Sequence, residues 1–196
     1  LSGAAEDVDM VVCPHETFDE TGRVRAIWPE TRWYRGSAAH KRRAAALRLI
    51  EGDSVLNIMC GKLIRREMIE REGIRFNGTP GASYQDTSFV FQVWASARRA
   101  AILPKGYLHY RVDNANSSVK SSPKVFAVCD EYELSREFLA KDPEKQRAFG
   151  VIVNLLKLGT YRWNFNRLTD ESRRAFAERM REEYLRAREE GTLERD

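Results

Sequence analysis

An α/β domain followed by a helical extension is the fold class this sequence predicts, and three observations predict it. Residues 8–13 (VDMVVC) and 100–103 are short apolar runs beside turn residues, which is the length and setting of buried strands. Residues 107–112 alternate with period two. Tyr107, His109 and Arg111 share one face, and Leu108, Tyr110 and Val112 share the other. From residue 124 onward, apolar residues recur only at helical spacing. The predicted division is an α/β unit over residues 1–140 and a helical extension over 141–196.

The elements follow in order. Residues 18–24 hold Asp19-Glu20-Thr21-Gly22, a turn signal between extended pieces. Residues 29–36 read as a loop rich in aromatics. Ser37 is a good N-cap for a helix running to Glu51 and closed by Gly52. A second helix is expected over 62–72, with Gly73 at its end and a brief strand at 74–76. NGTPGAS at 77–83 is a loop by composition. The helix expected at 87–98 carries a wide apolar stripe and should be largely buried. Pro104-Lys105-Gly106 is a turn, and the polar stretch 113–123 is a surface loop. Helices are expected over 124–140, 143–158 and 170–190. The last has Phe176, Met180 and Tyr184 in a single stripe on an otherwise charged surface.

Composition narrows the function classes. A chain of 196 residues can bury one sizeable core. Its 42% hydrophobic and 32% charged residues are those of a folded domain rather than a disordered one. Lys plus Arg exceed Asp plus Glu by only 33 to 29, and the basic run His40-Lys41-Arg42-Arg43 has no aromatic platform beside it. No nucleic-acid partner is expected on that balance. Three cysteines without metal or redox spacing read as reduced thiols of a cytoplasmic protein. No apolar stretch approaches the roughly 20 residues of a membrane span, and the first residues are not a signal peptide. The amphipathic last helix is compatible with homodimerisation or with peripheral association at the inner face of a membrane. Because the chain opens on Leu1, a longer parent is expected.

Two constellations carry chemistry. Asp86 follows a Gly/Pro loop and precedes the buried helix, so its carboxylate fits a general base at a helix N-terminus. A simple helix cap is the commoner role for a carboxylate in that setting. Arg111 has the fork that grips a diphosphate, and His109 beside it has the chemistry of a metal ligand. As an exposed strand face the same residues need do neither.

The ordered pieces GKLIRR (61–66), GIRF (73–76), TPGASYQDTSF (79–89), YLHYR (107–111), DNANSSV (113–119) and CDEY (129–132) resemble the second half of the family 2 glycosyltransferases, which have the GT-A nucleotide-sugar fold. The resemblance covers somewhat under half the chain. It implies part of a GT-A sheet with covering helices, and transfer of a sugar from a nucleotide-diphosphate sugar to a hydroxyl of a glycan or lipid-linked glycan. It matches Asp86 to the catalytic base and puts Tyr84 and Gln85 on the acceptor side. It sets Arg111 near the donor diphosphate, and Asn114, Asn116 and Ser117 in a loop that orders over substrate. Lys62 matches the Lys of the family's Asn-Lys pair. Gln85 stands where many members have Glu, and Cys60-Gly61 replaces the common Trp-Asn.

The family's Asp-x-Asp metal motif belongs to a donor-binding half. Asp7-Val8-Asp9 has its letters but runs straight into the first strand, so it is read as unrelated. The expectation is that the chain begins after that motif. Magnesium or manganese would then serve only the full-length enzyme, with none in this chain, and the chain alone would be inactive. The competing expectation is a non-catalytic interaction module of a larger protein.

Overall fold

The computed structural model describes residues 8–26, 33–34, 59–80, 84–103, 106–114 and 124–193. Strand β1 (Met10–Val12) leads through Cys13-Pro14 into β2 (His15–Phe18), which turns back as β3 (Val24–Ala26). The hairpin rests on Asp19, whose carboxylate accepts from Thr21 N at 3.0 Å. Its main-chain carbonyl accepts from Gly22 N at 2.9 Å. This is the local bonding that suits Asp to turns. Then come β4 (Trp33–Tyr34), β5 (Lys62–Ile64), α1 (Arg66–Arg71), α2 (Gln85–Ser96), β6 (Ala100–Ile102) and β7 (Leu108–Arg111). Helices α3 (Ala127–Ala140), α4 (Pro143–Phe165) and α5 (Asp170–Glu189) complete the chain.

One sheet has the order β4-β6-β1-β5 and the other β3-β2-β7. The parallel pair β1/β6 sets Met10 opposite Ala100, and the parallel pair β2/β7 sets His15 opposite Leu108. The same two stretches of chain therefore pass side by side from the first sheet into the second. A parallel pair needs a long crossover, and α1 and α2 lie within it. Residues Ser88 through Ser96 of α2 are all buried, as the wide apolar stripe predicts. Met10, Phe91, Val128, Phe149, Ile152 and Phe176 belong to one buried cluster, so the helices after residue 140 share the core of the α/β part. Phe91 and Phe149 meet edge to face, with ring centres 6.3 Å apart. Burial of each such ring stabilises the fold by about 2 kcal/mol.

The mixed α/β class and the order of elements agree with the sequence, and six details differ. Helix α2 spans Gln85–Ser96 and not 87–98, so Asp86 lies inside its first turn. Lys62 lies on strand β5, not in a helix: residues 62–64 pair antiparallel with β1, and α1 starts only at Arg66. Trp33–Tyr34, read as loop, pairs with β6. Residues 74–76 form no strand, because their leading amide closes α1 instead. Gly73, at φ +65°, sends its N–H to Glu70 O, and Ile74 N–H reaches Ile69 O at 3.0 Å. This is the carbonyl cap that a left-handed glycine makes. Helix α3 begins at Ala127 rather than Lys124. Helix α4 runs on to Phe165, past Gly159, because Tyr161 and Asn164 on its last two turns are buried. The helix expected over 37–51 lies outside the described residues, as do Pro104 and Lys105.

Asp142 caps α4 by accepting from Glu144 N and Lys145 N at 3.0 and 3.1 Å, with Pro143 at the first helical position. Inside the helical layer, Glu183 accepts from Tyr161 Oη at 2.6 Å and from Arg179 Nε at 2.7 Å. Its side chain is 5% exposed, so the apolar stripe of α5 carries a carboxylate that its partners neutralise. Cys13, Cys60 and Cys129 are free thiols, and burial pushes Cys129 up to about 11. No helix among the described residues is long and apolar enough to cross a membrane.

Candidate active site at the start of helix α2

Helix α2 starts on Tyr84, at φ 61° and ψ 4°, the one non-glycine residue with positive φ among the described residues. Left-handed backbone costs such a residue about 1 kcal/mol or more. The side chain holds it there. Tyr84 Oη donates to Asn164 Oδ1 at 2.7 Å and accepts from Arg167 Nη1 at 3.3 Å. Its ring meets Trp163 edge to face, and the Arg167 guanidinium lies 4.2 Å from the Trp163 ring centre. The end of α4 thus fixes the backbone two residues before Asp86. Gln85 Nε2 donates to Thr79 O at 3.2 Å and to Thr79 Oγ1 at 3.0 Å, tying the preceding loop to the helix start.

Asp86 stands in the first turn of α2. Its side chain is open to solvent, yet the surrounding protein displaces enough water that desolvation raises its pKa above the ordinary value. The N–H groups of Asp86 and Thr87 and the charge of Lys62 pull the other way. Lys62 therefore lies within electrostatic reach of Asp86, and it also acts on the buried His15, whose pKa is lowered by burial first and by Lys62 second.

Behind Asp86 is Glu131 of α3, 1% exposed. Its Oε1 accepts from Asn77 Nδ2 at 2.9 Å, and its Oε2 from the Ser88 hydroxyl. Burial raises the Glu131 pKa; the bonds from Ser88 and Asn77 oppose this, and the charge of Asp86 adds to it. The two carboxyls therefore feel each other. A negative charge close by favours the protonated form of Glu131.

The structure thus sets Tyr84, Gln85 and Asp86 at the start of one helix, with Lys62 of β5 in electrostatic reach of Asp86. Arg111 stands apart on β7, with its Nε 2.7 Å from Asp113 Oδ1, and Asp113 also accepts from Glu20 N at 2.6 Å. No described contact joins Arg111 to Asp86. His109 faces Glu16 across the β2/β7 pair at 3.7 Å. Among the described residues no three His, Cys, Asp or Glu side chains converge as metal ligands. Asn114 is exposed at the end of the described stretch. Asn116 and Ser117 lie outside the described residues. Asp9, of the Asp-x-Asp letters, is buried and accepts from Arg98 N at 2.7 Å and Arg99 N at 3.3 Å, a structural bond between β1 and the end of α2.

Sequence reasoning assigned no role to Glu131, Ser88, Asn77, Asn164 or Arg167. Glu131 had a signal, since it falls on the same helical face as Val128 and Ser135, both buried. An acidic residue on a buried face calls for a partner. Asn164 and Arg167 had none, because only the packing of α4 brings them to Tyr84.

Glu131→Ala is expected to destabilise the protein by about 2 kcal/mol, since it orphans the buried Ser88 hydroxyl and the Asn77 amide. Glu131→Gln keeps the bond from Asn77, and the Ser88 hydroxyl can turn to accept from the new amide, so this variant should melt close to the parent. The raised carboxyl pKa means that the stability it contributes is complete below the unfolded value of 4.5 and is lost as pH rises through the folded one. The Gln variant should therefore gain on the parent as pH rises from acid toward neutral. Thermal melts of the three proteins across that range check both points.

No protein-family model and no curated protein sequence matches the chain.

Proposed function

We propose that this chain supplies the acceptor-side base of an inverting glycosyltransferase of the GT-A type. Its donor would be a nucleotide-diphosphate sugar and its acceptor a hydroxyl of a glycan or lipid-linked glycan, handled in the cytoplasm. The observation that carries the reading is Asp86: a solvent-reachable carboxyl at a helix start, with raised pKa, flanked by Lys62 and fixed in place by a strained Tyr84. A carboxylate whose pKa is raised toward the working pH is a better proton acceptor than an ordinary one. In a single displacement it takes the acceptor's hydroxyl proton as that oxygen bonds to the anomeric carbon. The nucleotide diphosphate leaves from the opposite face with the bonding pair. The charge of Lys62 opposes that rise and favours the ionised carboxylate that accepts the proton. Magnesium or manganese would offset charge on the departing diphosphate. The described residues provide no cluster of ligands for it, so no step here runs through that ion.

A second reading, a non-catalytic interaction module, draws on two observations. The Tyr84 hydroxyl is already spent on Asn164 and Arg167, and the Arg111 guanidinium on Asp113. On this reading Asp86 serves its own helix alone. Nucleotide release by the full-length protein, with manganese, a panel of nucleotide sugars and lipid-linked acceptors, separates the two. Turnover of one donor is expected. Silence across the panel would move the assignment to the interaction module.

A further inference from the structure

An open groove of about 560 Å³ runs between the segment after α1 and the helices α2 and α3. It is lined by Gln92, not by Asp86 or Lys62, and Gln92 lies about 9 Å further along the α2 axis than Asp86. The Gln92 side chain is more than nine-tenths buried, and its carboxamide makes no hydrogen bond to any described residue. A buried amide without a partner is unfavourable, and buried polar groups in native proteins nearly always find one. The groove is where that partner can come from.

The walls and rim narrow its chemistry. Phe76, 51% exposed, stacks on Phe89 with ring centres 3.9 Å apart, and Phe138 lines the groove under the Lys145 ammonium. Flat apolar walls suit a ring. Lys145 is already paired with Glu72 at 2.5 Å, and Arg71 with the same carboxylate at 3.2 Å. Asp142 also faces Lys145, at 3.7 Å, which leaves Lys141 and Arg75, whose Nη1 donates to Ile74 O at 2.7 Å, as lining cations outside any described ion pair, against Glu137 as the matching carboxylate. The uncommitted charge is net positive. A carboxamide presents a donor and an acceptor side by side, and the group that complements both is a lactam or amide edge. The volume falls within the range of small-molecule sites.

We propose that this groove binds a small anion bearing a planar lactam ring. The ring would lie against Phe76, its edge would bond to Gln92, and its charge would meet Arg75 and Lys141. Nucleoside monophosphates are of this class. The site is separate from the Asp86 site and does not depend on the sugar-transfer reading.

Calorimetric titration of this 196-residue chain with uridine 5′-monophosphate tests it apart from the donor site proposed for the full-length protein, with uridine and ribose 5-phosphate as the two halves of the probe. The monophosphate should bind with a dissociation constant below about 1 mM, and each half roughly tenfold or more weaker. Gln92→Leu should weaken the monophosphate roughly tenfold. The variant should melt no lower than the parent, because it removes an unpartnered amide. The double variant Arg75→Ala, Lys141→Ala should reduce the monophosphate to the affinity of uridine, and Asp86→Asn should leave it unchanged. Absence of saturable binding at about 10 mM, equal binding of ribose 5-phosphate, indifference to Gln92→Leu, or loss with Asp86→Asn would each overturn the assignment.

Discussion

On the proposed sugar transfer, Asp86→Asn is expected to lower the rate by on the order of a hundredfold or more, the usual loss when a general base is removed. The same change should leave the fold intact. Asn is nearly isosteric with Asp, and its amide oxygen can still accept from the Asp86 and Thr87 N–H groups. The pH dependence gives a second, independent readout. Folding raises the Asp86 pKa above its ordinary value of 3.8. The stability this group contributes is therefore complete below the unfolded value and is lost as pH rises through the folded one. At neutral pH the ionised carboxyl is a liability to the fold, so the Asn variant should melt at or above the parent. Below the unfolded value the difference should vanish. A transferase base predicts lost activity with retained stability. A simple cap predicts activity equal to the parent. A fall in melting temperature together with activity would assign Asp86 to structure alone.

Gly61→Ala is expected to destabilise the protein by on the order of 3 kcal/mol, and two effects add. Gly61 sits at φ +79°, where a side chain is strained, and an added Cβ would lie 2.6 Å from the Cys13 carbonyl oxygen. That oxygen belongs to backbone and cannot swing away. The two residues also approach each other through a main-chain bond, from Cys13 N to Gly61 O at 2.7 Å, which ties the end of β1 to the start of β5. Relief of the clash must therefore move the strand that carries Lys62. The melting temperature should fall by roughly 10 °C for a domain of this size. In a transferase, the residual folded protein should also turn over more slowly, because the ammonium beside Asp86 is displaced. A melt within a degree of the parent would show that the Cys13–Gly61 approach relaxes freely.

Gly61 departs from the Asn common at that place in the family the sequence resembles, and the close Cys13 carbonyl is a physical reason for glycine there. Much of the local structure was legible in the sequence. The Asp19-to-Gly22 turn, the Asp142-Pro143 helix start and the buried stretch of α2 all follow from side chains that act on their own backbone neighbours. Such effects span a few residues and can be read from order alone. Sequence reasoning misassigned residues 62–64 and 74–76. Three-residue pieces carry too little periodicity to separate strand from helix end, and pairing with β1 or a hydrogen bond back to Ile69 decided each.

The position of Asp86 between a loop and a buried helix was fixed by sequence, as was its fitness for either a base or a cap. Its raised pKa, the reach of Lys62, and the buried Glu131 with Ser88 and Asn77 were decided by tertiary packing. So was the strain at Tyr84, held by Asn164 and Arg167 some 80 residues further on. Electrostatic environment depends on which groups lie within a few ångströms, and chain order does not state that distance. Periodicity alone established that residues beyond 140 are helical. Only their packing against α2 and α3 made them part of the same core and the support of the candidate site.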